Sequence, residues 1–438
     1  MFSFAARHPA NRLAFILPAL ILASCGGSNT GAIVTVPNWV VVADLNGDGL
    51  LDVAVVAAQI DETGLTQKPG LLGVEINPKS APGVFGVGVN YVTSSAPPSG
   101  LAVGDLSGTG THDLAVANLN AGTVAIFMET SPTSGTYAQA KTITVGGGPN
   151  DVEIADLNGD GLPDLIVADN TGKVTYLLQV PGSPGTFEPP VSLPIANRAI
   201  SVAVGDLNGD GLVDLAVTSF DGAGDFGLVT IYFQDPNHLG TFLPTPTTIT
   251  AYGEPSQILI RDINEDGVND IVIACQGLGG AADSNAATDG ETTVPVQQAL
   301  AEAQFGAMVI LQNSATPGTF ATPVVYPSVQ GSIALAIADL DGDGLPDIAM
   351  VSIYPQGQGY VSTIFQDPAN HGAFLPPGPP YAGVGQPVSI AIGDMDGDGL
   401  PDLVTADGTA AYWYKNFPAT ATTTLTFGLQ SQIGDFLN

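Results

Sequence analysis

The chain has 438 residues, ample for a large core, and its charge is one-sided: 42 acidic against 9 basic residues, a net charge of −33. Phosphate binding needs clustered Lys and Arg, so this balance argues against a nucleic-acid partner. Charged residues are sparse, whereas Gly (55) and Pro (34) are abundant; with no long amphipathic stretch, that composition points to an all-β protein with many turns.

The chain opens with Arg7 and Arg12, followed by the apolar run Leu13–Ala23. The run is too short to span a bilayer as a helix, but it suits the core of a signal peptide. It ends in Leu22-Ala-Ser-Cys25, then Gly26. This resembles the lipobox of bacterial lipoproteins; the other reading is an ordinary cleaved signal with an incidental cysteine. The resemblance implies a signal peptide over residues 1–24 and a lipidated Cys25 that anchors the exported protein in the cell envelope. Gly26 in place of Asp favours the outer membrane in a Gram-negative cell, on a side left open. Residues 25–36 are small and polar and serve as a tether. The second cysteine is Cys275. With Cys25 lipidated no disulfide is available, so stability must come from the core and from metal. Cys275 falls just past a strand, where a small residue at a strand end is expected rather than a catalytic thiol.

From residue 37 onward the chain is repetitive. The stretch Asp156-Leu-Asn-Gly-Asp-Gly-Leu-Pro-Asp164 places side-chain oxygens at positions 1, 3, 5 and 9 of a nine-residue loop, with Gly161 at position 6 for the backbone reversal. Six further loops begin at Asp44, Asp105, Asp206, Asp262, Asp339 and Asp394, with successive starts 61, 51, 50, 56, 77 and 55 residues apart. Hard cations take six to eight oxygens, and alternate residues of a tight loop can point inward together. The expected ligands are Asp44, Asn46, Asp48 and Asp52; Asp156, Asn158, Asp160 and Asp164; Asp206, Asn208, Asp210 and Asp214; Asp262, Asn264, Asp266 and Asp270; Asp339, Asp341, Asp343 and Asp347; and Asp394, Asp396, Asp398 and Asp402. In the second loop Asp105, Ser107 and Asp113 form a weak set, because Thr109 stands where the others carry a carboxylate. About six structural Ca²⁺ ions are therefore expected, and 22 of the 42 acidic residues occupy positions 1, 3, 5 or 9 of these loops. The alternative is an Asx-turn closed by hydrogen bonds without metal. An EF-hand is excluded: position 12 is Val55 or Val167 rather than Glu, and the flanks are β-like.

Each loop follows a strand with bulky apolar residues four and two places before the first Asp, as in Val152/Ile154 and Val202/Val204. The residue just before the Asp is Ala or Gly except at Arg261. This period-two pattern suits a strand crowded around a central axis. A second strand follows the loop, then a third such as Thr123–Phe127, then a Gly-Thr-Phe turn (Gly185, Gly240, Gly318) into a fourth. Four strands repeated seven times read as a β-propeller. The repeats resemble the VCBS and FG-GAP repeats of bacterial surface proteins and the integrin α-subunit. That resemblance covers about residues 37–438. It implies a seven-bladed propeller with four antiparallel strands per blade and Ca²⁺ in the loop between the first and second strands.

No G-x-S-x-G, H-E-x-x-H or P-loop motif is present. His112 lies in the weak loop, and His238 and His371 lie in equivalent turns, so no histidine metal site is expected. The reading is a non-enzymatic, monomeric binding or adhesion module for a protein or glycan. The alternatives are a polysaccharide lyase on the same scaffold and a structural envelope component. An acid pair lining a pocket away from the seven loops would favour the enzyme. The irregular insertions Gln59–Leu72, Phe220–Gly227, Gln276–Phe305 and Tyr354–Gly359 all fall between second and third strands, opposite the Asp loops. Insertions in repeat proteins collect on the binding face, and Val296–Ala303 has the composition of a short helix.

Overall fold

A computed structural model describes residues 33–61, 68–86, 88–131, 134–221, 226–276, 306–328, 331–353, 359–382, 385–407, 410–417 and 426–433. The leader, Cys25 and the helical segment expected at 296–303 lie outside them. The described residues form seven four-stranded antiparallel sheets, each built from four strands consecutive in the chain. Blade three is representative, with strands Pro149–Ala155, Asp164–Asp169, Lys173–Leu177 and Val191–Pro194. Blade one starts at Ile33, ahead of the expected boundary at 37.

The second strand of a blade is buried on both faces, because each face packs against a neighbouring blade; Asp164–Asp169 is buried throughout. The core is accordingly seven clusters, one per gap between blades. Leu106, Ala115, Val124 and Ile126 of blade two meet Val152, Leu165 and Val167 of blade three, for example. Loop position 2 (Leu45, Leu106, Leu157, Leu207, Ile263, Leu340, Met395) is fully buried. It fills the gap to the next blade: Leu106 belongs to the cluster between blades two and three and Met395 to that between blades seven and one.

The small residue before each Asp has a steric cause. A Cβ on Gly104 would lie 2.5 Å from Ile154 Cγ2, and one on Gly205 would lie 2.8 Å from Ile260 Cγ2. The inner strand of one blade thus accommodates the bulky residue of the next.

Inner strands leave one edge unpaired towards the channel, and unpaired backbone groups need partners. Side chains of the adjacent blade provide them. Val202 N–H donates to Asp151 Oδ2 (3.2 Å), Leu335 N–H to Gln257 Oε1 (2.8 Å) and Val40 N–H to Ser389 Oγ (3.2 Å). The last of these joins blade seven to blade one. Among the described residues no strand is exchanged there. The ring closes through that bond, through Asn77 Nδ2 donating to Met395 O (2.7 Å), and through packing of Val40, Val53 and Val55 on Trp413, Val404 and Ile433.

One residue in this closing seam is out of place. Glu75 pairs with Val53 and is 1 % exposed. The equivalent residues are Phe127, Leu177, Tyr232, Ile310, Ile364 and Tyr414. Burial pushes the Glu75 carboxyl from 4.5 up to about 7, only partly offset by the Gly88 N–H. The folded protein therefore holds a proton that the unfolded chain releases. Stability falls as pH rises from about 4.5 to 7 and stays lost above that window. Glu75→Leu is expected to raise Tm at pH 8, by an amount corresponding to up to ~3 kcal/mol at 1.36 kcal/mol per pH unit, with a much smaller gain at pH 4.5. Melting curves at the two pH values check it.

Candidate metal centres

Each Asp loop turns through two left-handed residues. Position 6 is the glycine recognised in the sequence; position 4 is the second, with φ of 67–81° in six loops at Gly47, Gly108, Gly159, Gly209, Gly342 and Gly397. In blade five Glu265 stands there at φ 58°, the one non-glycine residue with positive φ among the described residues. This turn folds the loop back on its first carboxylate. Oδ2 of Asp44, Asp156, Asp206, Asp339 and Asp394 accepts the N–H of the position-6 glycine at 2.8–2.9 Å. The position-5 carboxylate accepts the position-7 N–H in the same way, as in Leu162 N–H to Asp160 Oδ1 at 2.9 Å. The Asx-turns are thus present in these loops. In two loops three carboxylates converge, each offering an oxygen within 4.8 Å of the others: Asp339, Asp341 and Asp347, and Asp394, Asp396 and Asp398. In blades one, three, four and five position 3 is Asn, whose Oδ1 accepts the N–H of position 5: Asn46 from Asp48, Asn158 from Asp160 and Asn208 from Asp210, all at 2.9 Å.

Position 9 plays a part that its place in the motif did not reveal. Asp52, Asp113, Asp164, Asp214, Asp270, Asp347 and Asp402 are at most 1 % exposed. Asp214 Oδ2 accepts Leu207 N–H (2.9 Å), and its Oδ1 accepts Gln234 N–H (2.8 Å) from the end of the third strand. Burial raises these acids, Asp214 to about 7 and Asp164 to about 6; the two backbone N–H groups pull the other way, and the carboxylates at positions 1 and 5 of the same loop add to the rise.

The residue bonded there is a hub that sequence reasoning missed. Gln234 Nε2 donates to Val213 O (2.8 Å), and its Oε1 accepts the N–H of Gly240 in the Gly-Thr-Phe turn (3.1 Å). Gln179, Gln312 and Gln366 repeat this with Gly185, Gly318 and Gly372, while Asn77 and Glu129 bond Gly83 and Gly135. A constant spacing of six residues from Gln, Asn or Glu to Gly was the available signal.

Two loops depart from this arrangement. In blade two, Ser107 Oγ lies 2.6 Å from Thr109 Oγ1 and 3.0 Å from Thr111 Oγ1, and the two threonine hydroxyls are 2.8 Å apart. Three hydroxyls bonded to one another fill the space between the carboxylates, and Asp113 Oδ2 accepts Ser107 N–H at 2.7 Å in place of position 2. In blade seven, Lys415 Nζ donates to Asp396 and Asp398; these bonds, with burial opposing them, hold the lysine above its usual range and help to hold Asp398 below its own.

The other singled-out residues are structural. Cys275 is fully buried, and burial pushes its thiol up to about 12. His238 Nδ1 lies 2.9 Å from Asp235 Oδ2 within its turn. Among the described residues no histidine joins a metal-type cluster.

Fold and loops together define a seven-bladed β-propeller with an acidic loop at the end of every inner strand. Residues 105–167, 156–217 and 206–273 match the FG-GAP-like repeat, each match running from one Asp loop through the next. Residues 105–273 of this seven-bladed propeller thus carry FG-GAP-like repeats. No curated protein sequence matches it. Among solved structures it is similar to Kuenenia stuttgartiensis hydrazine synthase, with 12 % identity over 93 % of this chain and 99 % of that one and a TM-score of 0.44. Fold likeness at this level does not carry function across.

The hub and the loop rim separate in a test. Asp214→Ala strips two buried N–H groups of their acceptor, at ~1–3 kcal/mol each, so it should lower Tm in EDTA and in calcium alike. Asp210→Ala should cost under ~1 kcal/mol in EDTA. Thermal melts of both variants in the two buffers check this.

Proposed function

We propose that the protein is a lipid-anchored module of the cell envelope that binds a protein or glycan, with Ca²⁺ stabilising the loops of blades one and three to seven. An FG-GAP propeller scaffold fits a binding module. The first-to-second and third-to-fourth turns of each blade leave on one side, and the second-to-third connections leave on the other. The Asp-loop side is engaged in its own hydrogen bonds. The opposite side carries the longer connections, between Asp61 and Gly70, Phe220 and Phe226, Gln276 and Gly306, and Ile353 and Gly359. In blades two, three and seven the same connection is tight, as between Asp169 and Lys173. The observation that carries the proposal is Phe226, which begins the third strand of blade four on that side. It is 41 % exposed and packs edge-on against Tyr252 (centroids 5.9 Å apart). Exposed aromatic groups beside variable loops suit recognition.

The lyase-type alternative has one observation of its own. Asp151 and Glu153 line the central cavity of about 440 Å³, away from the seven loops. Burial, with the Asp151 charge beside it, pushes Glu153 up to about 8. Asp151, however, is engaged by Ser201 Oγ at 2.6 Å and by Val202 N–H, the inner-edge role that Gln257 and Ser389 play in other blades.

Replacing residues 277–304 with a short Gly-Ser turn, and separately Phe226→Ala, should leave Tm within a few degrees and reduce binding on glycan and envelope-protein arrays at least tenfold. Binding that survives both changes but fails in Glu153→Gln would move the site into the channel and favour the enzyme.

A further inference from the structure

One position distinguishes blade seven from the other six. The residue one place beyond the Glu75-equivalent position is Ile76, Met128, Leu178, Phe233, Leu311 and Phe365 in blades one to six, and Lys415 in blade seven. The apolar residue has a fixed task. A Cβ built on the turn glycine of the next blade would meet it: Gly135 meets Ile76 at 2.3 Å, Gly240 meets Leu178 at 3.2 Å and Gly372 meets Leu311 at 3.1 Å. Those same glycines lie against position 3 of the loop beneath: a Cβ added at Gly135 would be 3.5 Å from Asn46 Cβ, one at Gly240 2.9 Å from Asn158 Cβ and one at Gly372 2.9 Å from Asn264 Cβ. The next blade's turn and the apolar side chain thus lie together over each such loop.

At the closing seam this cover differs. The blade-one turn places Gly83 against the Trp413 ring, 2.5 Å from an added Cβ. Lys415, with its side chain 22 % exposed, turns into the loop instead and bonds Asp396 and Asp398, the latter at 2.6 Å. These are positions 3 and 5, which belong to the converging carboxylate group of that loop. We infer that Lys415, and not a metal ion, is the cation that neutralises the seventh loop. An ammonium and a divalent ion on the same two carboxylates would sit within a few ångströms of each other and repel strongly. The loop keeps the oxygens for an ion: Asp396 Oδ1 is buried without a hydrogen-bond partner, so removing the lysine would expose a complete site. The inference rests on the calcium reading of the remaining loops and lowers the number of ions from six to five, leaving the seam between blades seven and one without a metal.

The test counts calcium bound to the folded protein by native mass spectrometry and by metal analysis after desalting, for the wild type and for Lys415→Met. Five ions in the wild type and six in the variant are expected. Six in the wild type, or no gain in the variant, overturns the inference. If neither protein binds calcium, the calcium reading itself fails, and the role of Lys415 is decided by melting in EDTA. There Lys415→Met should lower Tm by roughly 2 °C, and that loss should vanish in an Asp396→Asn, Asp398→Asn background. An unchanged Tm, or an equal loss in that background, overturns it.

Discussion

The structure depends on one buried carboxylate per blade. At position 9 of each loop an aspartate with almost no exposure accepts two main-chain N–H groups, in six blades one from loop position 2 and one from the end of the third strand. A buried, charged acceptor is costly unless it is hydrogen-bonded, and it is stronger than a neutral acceptor when it is. The bond to position 2 fixes the apolar side chain of that residue in the gap between blades. The bond to the third strand places the Gln hub, and the hub places the Gly-Thr-Phe turn. One carboxylate thereby couples the loop, the strand order and the packing between blades.

The loops then divide by how their rim charge is balanced. In blades one and three to six positions 1, 3 and 5 carry only carboxylates and Asn amides, and in blade six Asp339, Asp341 and Asp347 converge. In blade two, hydroxyls of Ser107, Thr109 and Thr111 bond one another where a charge would otherwise need an ion. In blade seven a lysine from the third strand reaches in. Position 9 is common to all seven, so the loop backbone keeps its shape whatever neutralises its rim.

Closure of the ring follows from the same economy of parts. Propeller blades need their inner edges satisfied, and here side chains of the neighbouring blade serve the inner edges of blades one, four, five and six. Ser389 and Asn77 perform at the seam what Gln257 and Gln366 perform elsewhere. The seam differs in its contents: Glu75 where other blades are apolar, Lys415 where they are apolar, and Trp413 under the blade-one turn.

The sequence by itself determined the blade count, the strand order within a blade and the placing of the acidic loops, because a nine-residue motif recurs seven times and strand alternation has a period of two. It also showed that the insertions lie opposite the loops, since antiparallel connections alternate sides. It did not show that position 2 fills the gap to the next blade, because a sequence pattern marks a residue as apolar but not what it packs against. The Gln-to-Gly spacing stood in the chain unread, since its meaning lies in a bond across a turn. Only the tertiary structure could show that Glu75 is sealed in the seam and that Lys415 meets Asp396 and Asp398. Both depend on which blade lies beside which, and the first and last blades are the pair that the chain itself keeps farthest apart.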